Sequence, residues 1–255
     1  VQNRQKIAIV ANQRSGTHAL GAVLQRNGFV SMGEIFHSQL YSGEDLIKYA
    51  RFQHYIRDRG IDGTDPVPLL PAFFDYVEGL AKGPMYVDLK YNTLKVNNST
   101  PDANRPIPAP LALCASRGYV FVHLIRRNTL HQYVSGRVAG ATGQYGLLAG
   151  QEPKRVAVRL DPDETVAEVT ERQRVADAFS TWLGDYPSCT LYYESAFAHD
   201  NLTQEAILAL AGIGVTIENP AIYWRKQGSD MRSSIANYDE IADALKKAAL
   251  TPLLD

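Results

Sequence analysis

Four short runs of apolar and β-branched residues constrain what this chain can fold into more than any other feature. They are KIAIVA at 6 to 11, YVDLK at 86 to 90, YVFVHLI at 119 to 125 and TLYY at 190 to 193. Short, nearly continuous apolar runs suit strands buried on both faces, unlike the alternating runs of half-exposed strands. Helical patterns separate them, and strands that alternate with helices build a parallel sheet covered by helices on both sides. The fold class is therefore α/β, three layers with a central parallel sheet.

The clearest helix is announced by Asp161-Pro162-Asp163-Glu164, with Asp161 as N-cap, Pro162 in the first turn and Glu164 placed as in a capping box. It turns Val166, Val169, Ala176, Phe179 and Leu183 inward. Another runs from about Thr203 to Ala211 and stops at Gly212 and Gly214. At 255 residues the chain fits one elaborate domain spanning 1–255. Segments 38–80, 97–116 and 140–160 break the alternation and read as excursions toward a substrate. Tyr41, Tyr49 and Tyr55 suit a sugar-binding wall, but aromatics of this kind are more often simply core.

With 26 basic against 27 acidic residues the net charge is near zero and gives no electrostatic reason to expect a nucleic-acid partner, although local phosphate recognition stays open. Cys114 and Cys189 have neither CxxC nor metal-ligand spacing and read as reduced, packed thiols. No apolar run is long enough for a transmembrane segment or a signal-peptide core, so a cytoplasmic location is expected.

After the first apolar run the sequence breaks at Asn12 and resumes at Leu20, Val23 and Leu24 with helical spacing. A strand, a turn containing Gly16 and a helix present first-turn N–H groups and the positive end of a helix dipole, which together bind anions. Arg14, Ser15 and Thr17 add side-chain donors. The turn makes the fold P-loop-like, but the GxxxxGK pattern of nucleotide kinases is missing. A second constellation, HLIRRNTLHQYVSGRVA at 123 to 139, places Arg127 at a strand end and Ser135 on the following helix. An arginine fork there suits a phosphate dianion.

Taken together, Arg-Ser-Gly-Thr after the first strand, and Arg127 with Ser135 after the third, resemble the paired nucleotide motifs of sulfotransferases. Those enzymes use 3′-phosphoadenosine 5′-phosphosulfate (PAPS) and release 3′-phosphoadenosine 5′-phosphate (PAP). Arg14, where many eukaryotic members have lysine, makes the chain look most like bacterial carbohydrate and glycolipid sulfotransferases of the nodulation-factor and trehalose type. The resemblance implies that Arg14, Ser15, Gly16, Thr17 and His18 hold the 5′-phosphosulfate and that Arg127 and Ser135 hold the 3′-phosphate. It makes Glu34 the catalytic base, in Gly33-Glu34-Ile35-Phe36, and Lys90 a strand-borne stabiliser of the leaving group, although Asp88 stands where a small residue is usual. His37 is the second candidate base, and Arg232, in a C-terminal segment similar to one in these enzymes, is a further nucleotide candidate. The implied function is transfer of a sulfuryl group from PAPS to a hydroxyl of a carbohydrate or glycolipid acceptor. No metal is expected, and a homo-oligomer is left open. A P-loop-like small-molecule kinase and a non-catalytic nucleotide-binding module are the alternatives. His123, inside an apolar strand, reads as a satisfied core residue, and Tyr193 and Glu194 as structural hydrogen-bonding groups.

Overall fold

A computed structural model of the chain describes residues 5–37, 51–60, 67–94, 107–145, 152–222 and 230–254. Tyr41, Tyr49 and parts of each expected excursion lie outside them.

The first apolar run is strand β1, Lys6–Ala11, and Ile7 to Ala11 are fully buried. Ala8 and Val10 enter one core, while Ile7, Ile9 and Ala11 enter the other. A strand whose two faces are both covered ordinarily carries apolar side chains at every position, which is why the run is unbroken. Strands β2 (Val30–Ser31), β3 (Met85–Lys90), β4 (Val120–Ile125) and β5 (Ser188–Tyr192) complete a parallel sheet of order β2-β3-β1-β4-β5. The sheet is five-stranded and helices cover both faces.

Helix α1, Thr17–Arg26, follows β1 and buries Leu20, Val23 and Leu24 in the second core. The first core takes Phe52 and Tyr55 of α2 (Phe52–Asp58) and Phe73, Phe74 and Val77 of α3 (Leu70–Leu80). It also takes Leu111 and Cys114 of α4 (Ala109–Ser116). The later parts of the segments expected as excursions, 38–80 and 97–116, thus return to the core. Apolar content outweighed their broken periodicity. Tyr55 packs edge-on to Phe73 at 5.4 Å and is a core residue.

Helix α5, Thr129–Thr142, follows β4, and α6, Pro162–Leu183, precedes β5. Asp161 Oδ1 accepts from Glu164 N at 2.8 Å, but the reciprocal half of the capping box is absent: Glu164 Oε1 instead accepts from Tyr133 Oη at 2.9 Å. Strand β5 ends one residue before the sequence suggests, because Tyr193 opens a short helix, α7 (Tyr193–Ala196). A hairpin of β6 (Phe197–Ala198) and β7 (Asn201–Leu202) leads to α8 (Gln204–Gly212), capped by Thr203.

The C-terminal helices α9 (Met231–Ser234) and α10 (Tyr238–Lys247) form a third cluster with α5 and α6, in which Met231, Ile235, Ile241 and Leu245 meet Leu130, Val134 and Val169. Asn237 ties this brace in place. Its Oδ1 accepts from Leu160 N at 3.0 Å and its Nδ2 donates to Leu160 O at 2.8 Å, as a neighbouring strand would. Among the described residues no helix is long and apolar enough to cross a membrane.

Candidate functional site

From β1 the chain moves to β2 and β3 on one side, then crosses to β4 and β5 on the other, so the order reverses at β1. Open α/β sheets bind ligands outside the carboxyl ends of the strands at such a reversal. Here that place holds the Asn12–Gly16 turn, the residues after β4 and the end of β3.

The turn itself is strained and shaped. Arg14 has φ 65° and Gly16 φ 91°, so two of three consecutive residues are left-handed. Arg14 bears this at a conformational cost of about 1–3 kcal/mol. Such turns aim successive N–H groups at one point. Gly16 serves a second purpose, since a Cβ there would sit 2.6 Å from Tyr193 Cδ2. As the N-cap of α1, it offers no side-chain acceptor to the first-turn amides.

Side chains from α5 hold the turn. Gln132 Nε2 donates to Ser15 Oγ at 2.7 Å, Asn12 Nδ2 donates to Gln132 Oε1 at 3.3 Å, and Arg14 Nε donates to Ser135 Oγ at 3.0 Å. Arg126 Nη1 donates to the Arg14 carbonyl at 3.3 Å, and its guanidinium lies 4.8 Å from the centre of the Tyr193 ring. Partial burial, and after it the charge of Arg126, hold Arg14 below its ordinary value. Two guanidinium groups brought together against their own repulsion suit an anion.

On the other flank, Lys90 is the last residue of β3 and only 1% exposed. Its Nζ lies 2.5 Å from Thr17 Oγ1, 2.7 Å from Asp88 Oδ2 and 3.8 Å from Glu34 Oε1. Glu34 follows β2 and is steadied by Gln13 Nε2, which donates to its Oε2 at 3.1 Å. Burial lifts the Asp88 carboxyl above the usual carboxylate range, with Lys90 opposing the shift and Glu34 adding to it. His18 is solvent-exposed on α1 but within the fields of Lys90, Asp88 and Glu34. His37 N donates to the Glu34 carbonyl at 3.1 Å; burial lowers the His37 imidazole and the Glu34 charge opposes that.

No protein-family model matches this chain, and no curated protein does.

Its own geometry brings most of the sequence-derived candidates together and leaves Arg127 and Arg232 with other partners. Arg14, Ser15, Gly16, Thr17, Glu34 and Lys90 gather around the turn, and His18 and His37 flank them. Arg127 and Ser135 have different partners: Ser135 accepts from Arg14, while the exposed Arg127 guanidinium stacks 3.7 Å from the centre of the Tyr192 ring. Glu194 accepts from Arg127 N and Asn128 N, each at 3.1 Å, which is the structural hydrogen bonding expected of it. Arg232 belongs to the C-terminal brace, where it pairs with Asp239 at 2.9 Å.

Sequence reasoning missed Arg126, Gln132 and Gln13. The signal for Arg126 was its place: it directly follows Ile125, the last residue of β4, and bonds to the Arg14 carbonyl, while Arg127 stacks on Tyr192. Gln132 is a buried polar residue on the inner side of α5, visible only as one amide beside an apolar stripe.

His123 meets its expectation. It is buried between Tyr91 Oη, at Nε2, and Ser180 Oγ, 3.3 Å from Nδ1. Burial holds its imidazole down to about 3, so it stays neutral. Cys114 and Cys189 are free thiols whose burial raises them, Cys189 to about 12.

Proposed function

We propose that this protein transfers a sulfuryl group from PAPS to a hydroxyl of a carbohydrate or glycolipid. The observation that carries the reading is the convergence of three separated segments: the Lys90 ammonium meets Thr17 in the first turn of α1 and stands 3.8 Å from Glu34. A cation at the anion turn next to a carboxylate supplies the two functions that group transfer to a hydroxyl needs.

Sulfuryl transfer, like phosphoryl transfer, goes through a loose in-line transition state in which catalysis is positioning plus stabilisation of the leaving oxygen. The acceptor oxygen forms its bond to sulfur as the bond from sulfur to the 5′-phosphate oxygen breaks. Glu34 takes the acceptor's proton, and Lys90, Arg14 and the first-turn amides stabilise the charge left on the phosphate. Arg127 is the group for the 3′-phosphate, with Arg126 supporting the turn. What supports a phosphate-bearing ligand is that arginine, lysine and hydroxyl donors from three segments gather at the carboxyl ends of β1 and β3.

PAP and adenosine 5′-phosphate titrations on the full chain test this, followed by transfer from PAPS across a panel of sugars and glycolipids. Expected are a rise in melting temperature with PAP and sulfation of at least one acceptor. Magnesium-dependent ATP turnover with no PAP affinity would replace the reading by a kinase; PAP binding with no transfer to any acceptor would leave a binding module.

A further inference from the structure

Asp88 lies in the middle of the sheet, in register with Ile9 and 6% exposed, where a doubly covered strand ordinarily carries an apolar side chain. One of its oxygens accepts from Lys90 Nζ at 2.7 Å, and the other, Oδ1, is buried with no hydrogen-bond partner. A half-satisfied buried carboxylate weakens a fold, so its presence calls for a role beyond stability.

The geometry of its partner supplies one. The Lys90 ammonium has three hydrogens. Thr17 Oγ1 at 2.5 Å and Asp88 Oδ2 at 2.7 Å take two of them, while Glu34 Oε1 at 3.8 Å is within ion-pair range but beyond a hydrogen bond. We infer that Asp88 is a positioning residue, drawing the Lys90 ammonium against the first turn of α1 and away from Glu34. One N–H then remains for an anion at the turn, and Glu34 stays free to take a proton. This inference rests on the nucleotide reading proposed above. Asp88 touches neither substrate nor reacting atoms and acts through Lys90.

Calorimetric titration of PAP into the wild-type chain, Asp88→Asn, Lys90→Met and the double variant tests it. Asp88→Asn is expected to weaken PAP about tenfold, the loss of one charged hydrogen bond, and to change nothing in the Lys90→Met background. Charge alone acts in the opposite direction, because deleting a carboxylate near an anion site tightens PAP. Unchanged or tighter PAP in Asp88→Asn, or an equal loss in the Lys90→Met background, overturns the inference. If Asp88→Asn does not fold, Asp88→Glu keeps the charge and displaces the oxygen by one methylene. Weakened PAP then supports positioning, and wild-type affinity overturns it. A wild-type chain that does not bind PAP defeats the nucleotide reading itself, a result distinct from either failure and one that removes the inference with it.

Discussion

Arg14 Nε donates to Ser135 Oγ at 3.0 Å, linking the turn after β1 to helix α5 across 121 positions of sequence. The bond orients a guanidinium that strain in its own backbone already presents, since Arg14 has φ 65°. An arginine held at Nε keeps its remaining donors in a fixed plane, which a lysine has no means to reproduce.

Loss of that bond should therefore be felt at the ligand. Ser135→Ala is expected to weaken PAP by about tenfold, the range for a hydrogen bond to a charged group. Arg14→Lys is expected to lose more, and the double variant little beyond Arg14→Lys alone. A calorimetric double-mutant cycle measures the coupling; strictly additive losses would mean that the two residues act separately.

Gly16 and Gly28 offer a matched pair for the cost of the turn. Both have positive φ, 91° and 83°, but a Cβ at Gly16 meets Tyr193 while one at Gly28 meets nothing within 4 Å. Gly28→Ala should cost about 1–2 kcal/mol, the conformational share alone. Gly16→Ala should cost about 1–3 kcal/mol more through overpacking. Urea denaturation of the two variants checks the difference.

Glu34→Gln keeps shape and a polar group but removes the proposed base. Turnover on any acceptor found is expected to drop about 10²–10⁴-fold, with PAP bound no more weakly than by the wild type. An unimpaired variant would end Glu34's role and pass it to His37, whose backbone N–H bonds to the Glu34 carbonyl.

Stability should carry the signature of His123. Its imidazole is held down to about 3 in the folded chain against 6.5 ordinarily, so between these values the unfolded state binds the extra proton. The resulting stability is fully present above about 6.5 and is lost as pH falls, by about 1.4 kcal/mol per unit. His123→Gln, which retains a polar partner for Tyr91, should flatten that slope by roughly one proton. Denaturation midpoints between these pH values measure it, and equal slopes would place the ionisation elsewhere.

The central strands were legible because they are buried on both faces, and a doubly buried strand writes itself as an unbroken apolar run such as Ile7 to Ala11; the two-residue, half-buried β2 left no such run. The glycine turn was legible for a related reason: Gly16 combines a left-handed backbone with contact against Tyr193, and both demands exclude a side chain. Leu70–Leu80 was harder, because a helix that follows a proline-rich stretch of sequence has the composition of an excursion even when Phe73 and Phe74 are fully buried. Arg126 and Arg127 were harder still. They are identical residues in adjacent positions, and only the direction each side chain leaves β4 separates the one on Tyr193, beside Arg14, from the one on Tyr192.

The sequence by itself determined the local matters: which apolar runs become the central strands, where Asp161 starts a helix, and that Gly16 closes the turn into α1. These depend on periodicity, capping and backbone freedom, all properties of neighbouring residues. Only the tertiary structure decided that Ser135 serves Arg14, that Gln132 braces Ser15, and that Lys90 lies between Thr17, Asp88 and Glu34. Those contacts arise from strand order and register, which bring together residues distant in sequence and leave no trace in the spacing of either partner.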